Sequence, residues 1–437
     1  MKKLILLAAW LLNVELASAQ NLYFPPNAGN TWDTLSPASL NWCPDKIDSL
    51  YGFLEDNNTK AFMLLKDGKI VLERYFGGHT PTTPHMWASA GKTITAFMVG
   101  IAQQEGYLSI HDTTSAYLGP GWTNCSAAEE QQITLRHQLT MTSGLDDGVP
   151  DHYCTLDTCL NCLTDPGTRW AYHNGPYTLL DSVMEIATGI GLNSYTTQKL
   201  KNPTGMTGAF VRVGYNNVFF SNARSMARFG LLMLNRGNWN GNLLMTDTAY
   251  FDQMVNTSQN LNESYGYLWW LNGKSSYMIP QSQFVFNGFM NPNAPADLFV
   301  AMGSQGQFLN VVPSQNLVML RMGDAPDNLP VPFLMNDQIW AYVNDLTCAP
   351  VGTTAPLAAP AGFQLFPNPA RDAVQISAPG PIAHIELYDA HGRWLRNVSA
   401  IGMSRTILSL EGLPTGLYWA KVVTENGQVW TQNVVRE

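Results

Sequence analysis

The sequence is short of charge. Only 13% of its 437 residues are Asp, Glu, Lys or Arg, and 33 acids against 24 bases leave a net charge of -9. No run of Lys or Arg interrupts that balance, which argues against nucleic acid or an anionic membrane surface as a partner, since clustered cations hold both. Long apolar runs are lacking after the first residues, so no later segment is predicted to span a bilayer. Cysteine is scarce, at six residues. Cys154, Cys159 and Cys162 are closely spaced, but no further His or Cys completes a zinc set, so neither a metal nor another cofactor is predicted. Two catalytic strings are also missing. There is no Gly-x-Ser-x-Gly and no His-Glu-x-x-His, which removes the α/β-hydrolase elbow and the common zinc-hydrolase motif from consideration.

What is present is apolar and aromatic: 45% hydrophobic residues, with 13 Trp, 17 Tyr and 18 Phe. That composition fits a globular protein with aromatic-lined clefts. Residues 1–20 read as a secretory signal peptide, from Lys2-Lys3 through the apolar run Leu4 to Leu12 to the small residues of "ASAQ". The expected destination is outside the cell or on its surface, by way of the periplasm, where disulfides persist. Cys43 and Cys348 bracket the region that follows, which makes a bridge between its ends attractive, although spacing leaves connectivity open.

Residues 21–348 form the expected main domain. "AFMLLKDGKIVLERYF" (Ala61 to Phe76) is two apolar runs around a Lys-Asp-Gly-Lys turn, a hairpin signal. "KTITAFMVGIAQQEGYL" has helical spacing and stops at Gly106. Helical patterns then alternate with Gly- and Pro-rich loops to about Thr207, and strand patterning returns from Phe299 to Met322. The fold class expected is therefore α/β of the α+β kind, one antiparallel sheet with an inserted helical lobe. Residues 349–362, rich in Ala, Pro, Gly and Thr, read as a linker. Residues 363–437 alternate in short strands with turns at "AHGR" and "ENGQ", the pattern of a small all-β sandwich.

Chemistry concentrates in "WASAGKT". Ser89 and Lys92 are the sole Ser-x-x-Lys of the chain. Placed at the start of a helix they share one face, so the amine reaches the hydroxyl while the Ser89 backbone N–H stays free for an oxyanion. A tyrosine can complete the proton path. Tyr-x-Asn occurs at Tyr172, Tyr215 and Tyr342, and the turn-rich approach "DPGTRWAYHN" favours Tyr172, leaving Tyr215→Phe expected to be nearly neutral. A strand edge facing the serine is expected in "FVAMGSQGQFLNVVP", where Gly303 and Gly306 let the backbone approach a substrate closely, which makes Gly303 a candidate substrate-binding residue.

Taken together, "WASAGKT", "ITLRHQLTMTSGL", "DPGTRWAYHN", "SMARFGLLMLNRGNWNG", "YGYLWWLN" and "AMGSQGQFLNVVPSQNLVML" resemble the serine β-lactamase-related family over about Asn30 to Cys348. That family includes class C β-lactamases, D,D-peptidases, esterases and 6-aminohexanoate-oligomer hydrolases, and the last two strings most resemble the esterase and oligomer-hydrolase branch. "FQLFPNPARDAVQI", "HIELYDAHGRWLR" and "LEGLPTGLYWAKVV" resemble the type A C-terminal sorting domain of type IX secretion, which implies the secretion machinery as a partner.

The resemblance implies Ser89 as nucleophile, Lys92 as its base partner, Tyr172 as proton shuttle, and the backbone of Ser89 and Ser304 as the oxyanion hole. Asn174 would hold the substrate or Lys92. Penicillin-recognising relatives carry a cation in the third motif. Here Met302-Gly303-Ser304-Gln305-Gly306 has none, while Trp87, Tyr267, Trp269 and Trp270 offer aromatic surface. The expectation is an acyl hydrolase for small or oligomeric neutral esters or amides. A β-lactamase or D,D-peptidase is the alternative, as is a non-catalytic binding protein on the same fold.

Overall fold

A computed structural model describes residues 22–325, 331–348, 362–390 and 393–437. The expected leader and all but the last residue of the expected linker lie outside these. The chain divides into two compact units, the first ending at Thr347 and the second running from Cys348 to Glu437.

Strands β1 (Thr59–Lys66) and β2 (Lys69–Tyr75) are the arms of the expected hairpin. Between them Asp67 and Gly68 take φ of 52° and 81°. Two consecutive positive φ values match the turn to the twist of the strands, and Asp-Gly adopts them at little cost. The chain leaves the sheet after Tyr75 and returns at β8 (Trp270–Leu271), then adds β11 (Phe299–Gly303), β12 (Gln307–Val312) and β13 (Leu317–Gly323). The resulting order is β2-β1-β13-β12-β11-β8, antiparallel throughout. Every residue of β11, β12 and β13 is buried, so both faces are covered. Helix α1 (Pro44–Asp56) packs on β1 and on α11 (Phe333–Asn344), and α9 (Ala223–Leu234) packs on β12, β13 and β1.

The insertion is the helical lobe. It contains α2 (Lys92–Gln104), the short α3 (Ser115–Leu118), α4 (Ala127–Glu130) and α5 (Leu135–Leu139), then α6 (Asn174–Thr188), α7 (Leu192–Thr196), α8 (Asn202–Thr204), and, past α9, α10 (Thr248–Met254). Helix α2 is hydrophobic all round, and Lys92 to Ala102 are buried without a break, which makes it the central helix of the unit. The lobe also holds a small sheet in the order β3 (His85–Met86), β5 (Asn216–Ser221), β4 (Ala209–Val213). Two ribbons, β6 (Asn238–Trp239) with β7 (Asn242–Leu243) and β9 (Ser276–Tyr277) with β10 (Phe286–Asn287), complete the first unit.

The second unit is all-β and antiparallel: β14 (Gln364–Phe366), β15 (Ala373–Asp389), β16 (Trp394–Ser409), β17 (Gly416–Thr424) and β18 (Val429–Arg436). Register shifts along β15 let its first half pair with β14 and its second with β17, while β16 lines its other edge. Val374, Ile376, Ile385, Leu387, Ala420, Val422 and Val434 form a core of its own. Among the described residues no helix is long and apolar enough to cross a membrane.

Candidate active site

Ser89 stands in a 3-10 turn, Ala88–Gly91, that runs directly into α2. The turn is gripped from two sides. The Trp87 N–H donates to the Phe219 carbonyl (2.8 Å) and its indole Nε1–H to Ser221 Oγ (2.8 Å), which ties it to β5. On the other side Gly303, the last residue of β11, comes so close that a Cβ there would lie 2.5 Å from the Trp87 carbonyl oxygen and 3.0 Å from Ala90 N. Strand β11 abuts the serine turn because residue 303 has no side chain. Ala88, at φ 48°, turns the backbone just before the serine in a conformation uncommon for a residue with a Cβ.

One helical turn on, Lys92 is 3% exposed. Its Nζ donates to Ser89 Oγ at 2.7 Å. Two rings close around the amine, the Tyr177 centroid 4.2 Å and the Tyr172 centroid 5.0 Å from Nζ. Burial pulls the Lys92 pKa down to about 7, with the charge of Asp181 opposing it.

Tyr172 is delivered by a segment laid along residues 141–142, where the Gly167 N–H donates to the Thr142 carbonyl (2.8 Å) and the Ala171 N–H to the Met141 carbonyl (2.9 Å). Its ring stacks on Trp270 at 5.7 Å and meets Tyr265 edge-on at 6.2 Å. Burial pushes the phenol far above its ordinary pKa, and a hydrogen bond with the Ser89 side chain offsets part of that rise. Asn174 opens α6, buried, and its Oδ1 has no hydrogen-bond partner.

Ser304 opens the corner between β11 and β12, in which Gln305 takes φ 62°. The corner is held from behind by a buried guanidinium: Arg321 Nη1 donates to the carbonyls of Gln305 (2.9 Å) and Gly306 (2.7 Å). Its Nε donates to Thr59 Oγ1 (2.9 Å) and its Nη2 to the carbonyls of Asn57 (2.6 Å) and Asp324 (3.0 Å). Gln307 Nε2 adds a bond to the Gly323 carbonyl at 2.6 Å.

Ser89, Lys92 and Ser304 border a cavity of about 380 Å³. Its outer walls are the β4–β5 hairpin, through Val213, Tyr215, Asn216 and Asn217, and the loop that carries Asp151 and Tyr153. That loop is stapled by Cys154–Cys159, and Cys162 beyond it is bonded to Cys125. Cys43 and Cys348 are disulfide-bonded as well, and no cysteine is free.

The aromatic residues expected on the cavity wall are placed elsewhere. Trp87, Tyr267 and Trp269 are fully buried and Trp270 nearly so, and none borders the cavity. Trp87 packs on Phe219 and Phe229, Trp269 on Phe229 and Phe299, and Tyr267 on Tyr250. Large rings bury the most apolar area, and the core claims them. The rings on the wall are Tyr153, Tyr177 and Tyr215. Tyr215-Asn216-Asn217, set aside in favour of the Tyr172 string, therefore lines the cavity, while Tyr172 lies behind it. Sequence reasoning also missed Asp181, whose carboxyl accepts from Thr95 Oγ1 (3.2 Å) and Asn217 Nδ2 (3.1 Å). An Asp in the middle of the apolar helix "YTLLDSVMEIATG" was the signal that could have revealed it.

The fold and the serine–lysine turn define a class. The Beta-lactamase family profile matches residues 56–343, about two thirds of the chain, and the protein belongs to this family of serine hydrolases. A second profile, the Secretion system C-terminal sorting domain, matches residues 364–436. The particular member is thus one with a type IX sorting tail, which marks it for secretion or for the cell surface. The chain is 23% identical over 305 residues to an uncharacterized protein of Alkalihalophilus pseudofirmus, covering 61% of this chain and 84% of that one. It is 27% identical over 135 residues to penicillin-binding protein 4* of Bacillus subtilis, covering 27% of this chain and 28% of that one. Among solved structures it resembles one from Bacillus anthracis provisionally assigned as a 6-aminohexanoate-dimer hydrolase, with a TM-score of 0.56, 20% identity, and coverage of 74% and 89%. It also resembles a β-lactamase from Mycobacterium bovis, with a TM-score of 0.51, 18% identity, and coverage of 69% and 100%. At such identities these two likenesses speak for the fold alone.

Proposed function

We propose that the protein is an exported serine hydrolase that cleaves small neutral esters or uncharged amides through an acyl-enzyme on Ser89. The observation that carries this reading is the 2.7 Å contact between Lys92 Nζ and Ser89 Oγ at the edge of a cavity, with the amine desolvated to a pKa of about 7. Lysine at its ordinary pKa of about 10.4 is a weak base in neutral water because it is already protonated. Desolvated, it takes the Ser89 proton as the hydroxyl attacks the acyl carbon. Tyr172, on the same hydroxyl, then gives its phenolic proton to the leaving group and recovers one from the Lys92 ammonium, so both side chains return to their starting forms. The backbone N–H groups of Ser89 and Ser304 receive the oxyanion. Asn174 Oδ1 is buried, unpartnered and off the cavity wall, so it reaches a substrate or Lys92 only if its side chain moves. Water releases the acyl group. The hydrolase corresponds to residues 21–348, and the tail, 363–437, serves export.

Substrate charge follows from the wall. Among the described residues, the cavity is bordered by no Lys, Arg or His apart from Lys92, and by one acid, Asp151. A charge-assisted hydrogen bond to a substrate carboxylate contributes about 1.5–3 kcal/mol, so without a cation carboxylate-bearing β-lactams lose about ten- to a hundredfold in binding. Short-chain esters and uncharged amide oligomers are expected to show higher kcat/KM than a chromogenic cephalosporin or D-Ala-D-Ala peptides. A panel of these substrates with Ser89→Ala as control tests the ranking. Efficient cephalosporin hydrolysis beside inert esters would favour the second reading, a β-lactamase or D,D-peptidase, which the penicillin-binding name of one relative supports.

The rate is also expected to depend on pH in one direction. Lys92 acts only when neutral, so kcat/KM rises as pH passes through about 7 and falls about tenfold per unit below it. Tyr172, held protonated by burial, adds no falling limb up to about pH 9. A profile that rises only near pH 10 would show that the amine keeps its ordinary pKa and would overturn the desolvated-base reading.

A further inference from the structure

Asp181 is a buried carboxylate that the mechanism above does not use. It sits at the contact of α2 and α6, one helical turn beyond Tyr177, whose ring covers the Lys92 amine. Thr95, which donates to its Oδ1, lies one turn beyond Lys92 on α2, and Asn217, which donates to its Oδ2, belongs to the β4–β5 hairpin. Thr95 and Asn217 both border the cavity. The next residue along the hairpin is tied to α6 in the same way, since Thr178 Oγ1 donates to Asn216 Oδ1 at 2.8 Å. Asp181 is 3% exposed, and among the described residues no cation forms an ion pair with it. A charge so placed is costly unless it does something for the site around it.

We propose that Asp181 is a positioning residue for the hydrolysis: its carboxylate anchors the β4–β5 wall of the cavity to α2 through Asn217 and Thr95, and its charge decides how readily Lys92 gives up its proton. The second half rests on the reading that Lys92 must be neutral for Ser89 to attack. The titratable groups around the pair can be named: the rings of Tyr172 and Tyr177 enclose Lys92, the charge of Asp181 acts on Lys92 and on Tyr177, and the charges of Glu185 on α6 and Arg212 on β4 act on Asp181. Burial raises the Asp181 carboxyl to about 7, and the bonds from Asn217 and Thr95 pull it back. Lysine and carboxyl therefore exchange protons within one pH window, and the rising limb of activity belongs to the pair.

The signs follow. A negative charge near Lys92 keeps the amine protonated to higher pH, so removing the charge moves the rising limb of kcat/KM to lower pH. Asp181→Asn keeps the shape and both ties, because an amide accepts from Asn217 and donates to Thr95. It is expected to move the limb down by about one pH unit with the plateau nearly unchanged. Asp181→Ala removes the ties too, so the limb moves equally and KM rises in addition. Full pH profiles of kcat and KM on a neutral ester, with thermal melts of each variant, make the test. If Asp181→Asn does not fold, Asn217→Ala and Thr95→Val carry it. Each removes one donor from the carboxylate, favours its neutral form, and is expected to shift the limb the same way by less. A limb that stays put in Asp181→Asn, or in both substitutes, overturns the proposal. Activity in the wild type that survives Ser89→Ala would instead overturn the Ser89 reading beneath it.

Discussion

Ser89→Ala is expected to lower turnover by about five to six orders of magnitude, the scale on which loss of a serine nucleophile acts. The remainder comes from binding and the oxyanion hole, which the substitution leaves in place. The fold should survive. Ser89 Oγ is the hydrogen-bond partner of the buried Lys92 amine, and stranding that amine costs about 1–3 kcal/mol. For a unit of this size that is a fall in Tm of roughly 1–5 °C. A fluorescent acyl-serine probe gives an independent measure, since it labels wild type and spares the variant. Substantial acyl transfer by Ser89→Ala, with labelling elsewhere, would move the chemistry to another residue. Lys92→Met, which fills the same space without an amine, is expected to come within about tenfold of the same loss if the two residues act as one unit.

Gly303→Val is expected to be nearly as damaging by a different route. A Cβ at this position meets backbone atoms, the Trp87 oxygen at 2.5 Å and Ala90 N at 3.0 Å, and neither can rotate away. Relief requires β11 to retreat from the serine turn, which carries Ser304 with it. Overpacking of this kind costs about 1–3 kcal/mol of stability. The larger effect is on kcat if Ser304 is the oxyanion donor proposed above, since displacing one such donor costs about a hundred- to a thousandfold. Stopped-flow acylation and a melting curve separate the two quantities. A variant with wild-type kcat would show that the strand's approach to the turn is unrelated to catalysis.

The sheet and the lobe were legible because their signals are local. The Lys-Asp-Gly-Lys turn, the unbroken apolar face of α2 and the alternating tail each announce their geometry within a dozen residues. The serine–lysine pair was legible for the same reason, since i and i+3 on a helix are neighbours whatever surrounds them. The cavity wall was not. Whether Trp269 or Tyr215 faces the substrate depends on which way a loop or hairpin turns against a distant helix, and composition favours tryptophan where packing assigns tyrosine. Asp181 was hidden by the same distance, because its partners Thr95 and Asn217 are remote from it in sequence and only the folded lobe brings them together.

Arg321 has a consequence for how such a hydrolase can be altered. The β11–β12 corner is held from inside the sheet by an arginine whose partners are four carbonyl oxygens and the Thr59 hydroxyl, and none of those residues borders the cavity. The two outer walls, the stapled loop with Tyr153 and the hairpin with Tyr215, belong to the inserted lobe. The corner that carries Ser304 is thus held independently of these two walls, whereas Ser89 and Lys92 share the inserted lobe with them. For protein engineering this makes the loop and Val213 to Tyr215 of the hairpin the segments to randomise or graft in search of new acyl groups, with Asn216, Asn217 and the corner proposed to receive the oxyanion left as they stand.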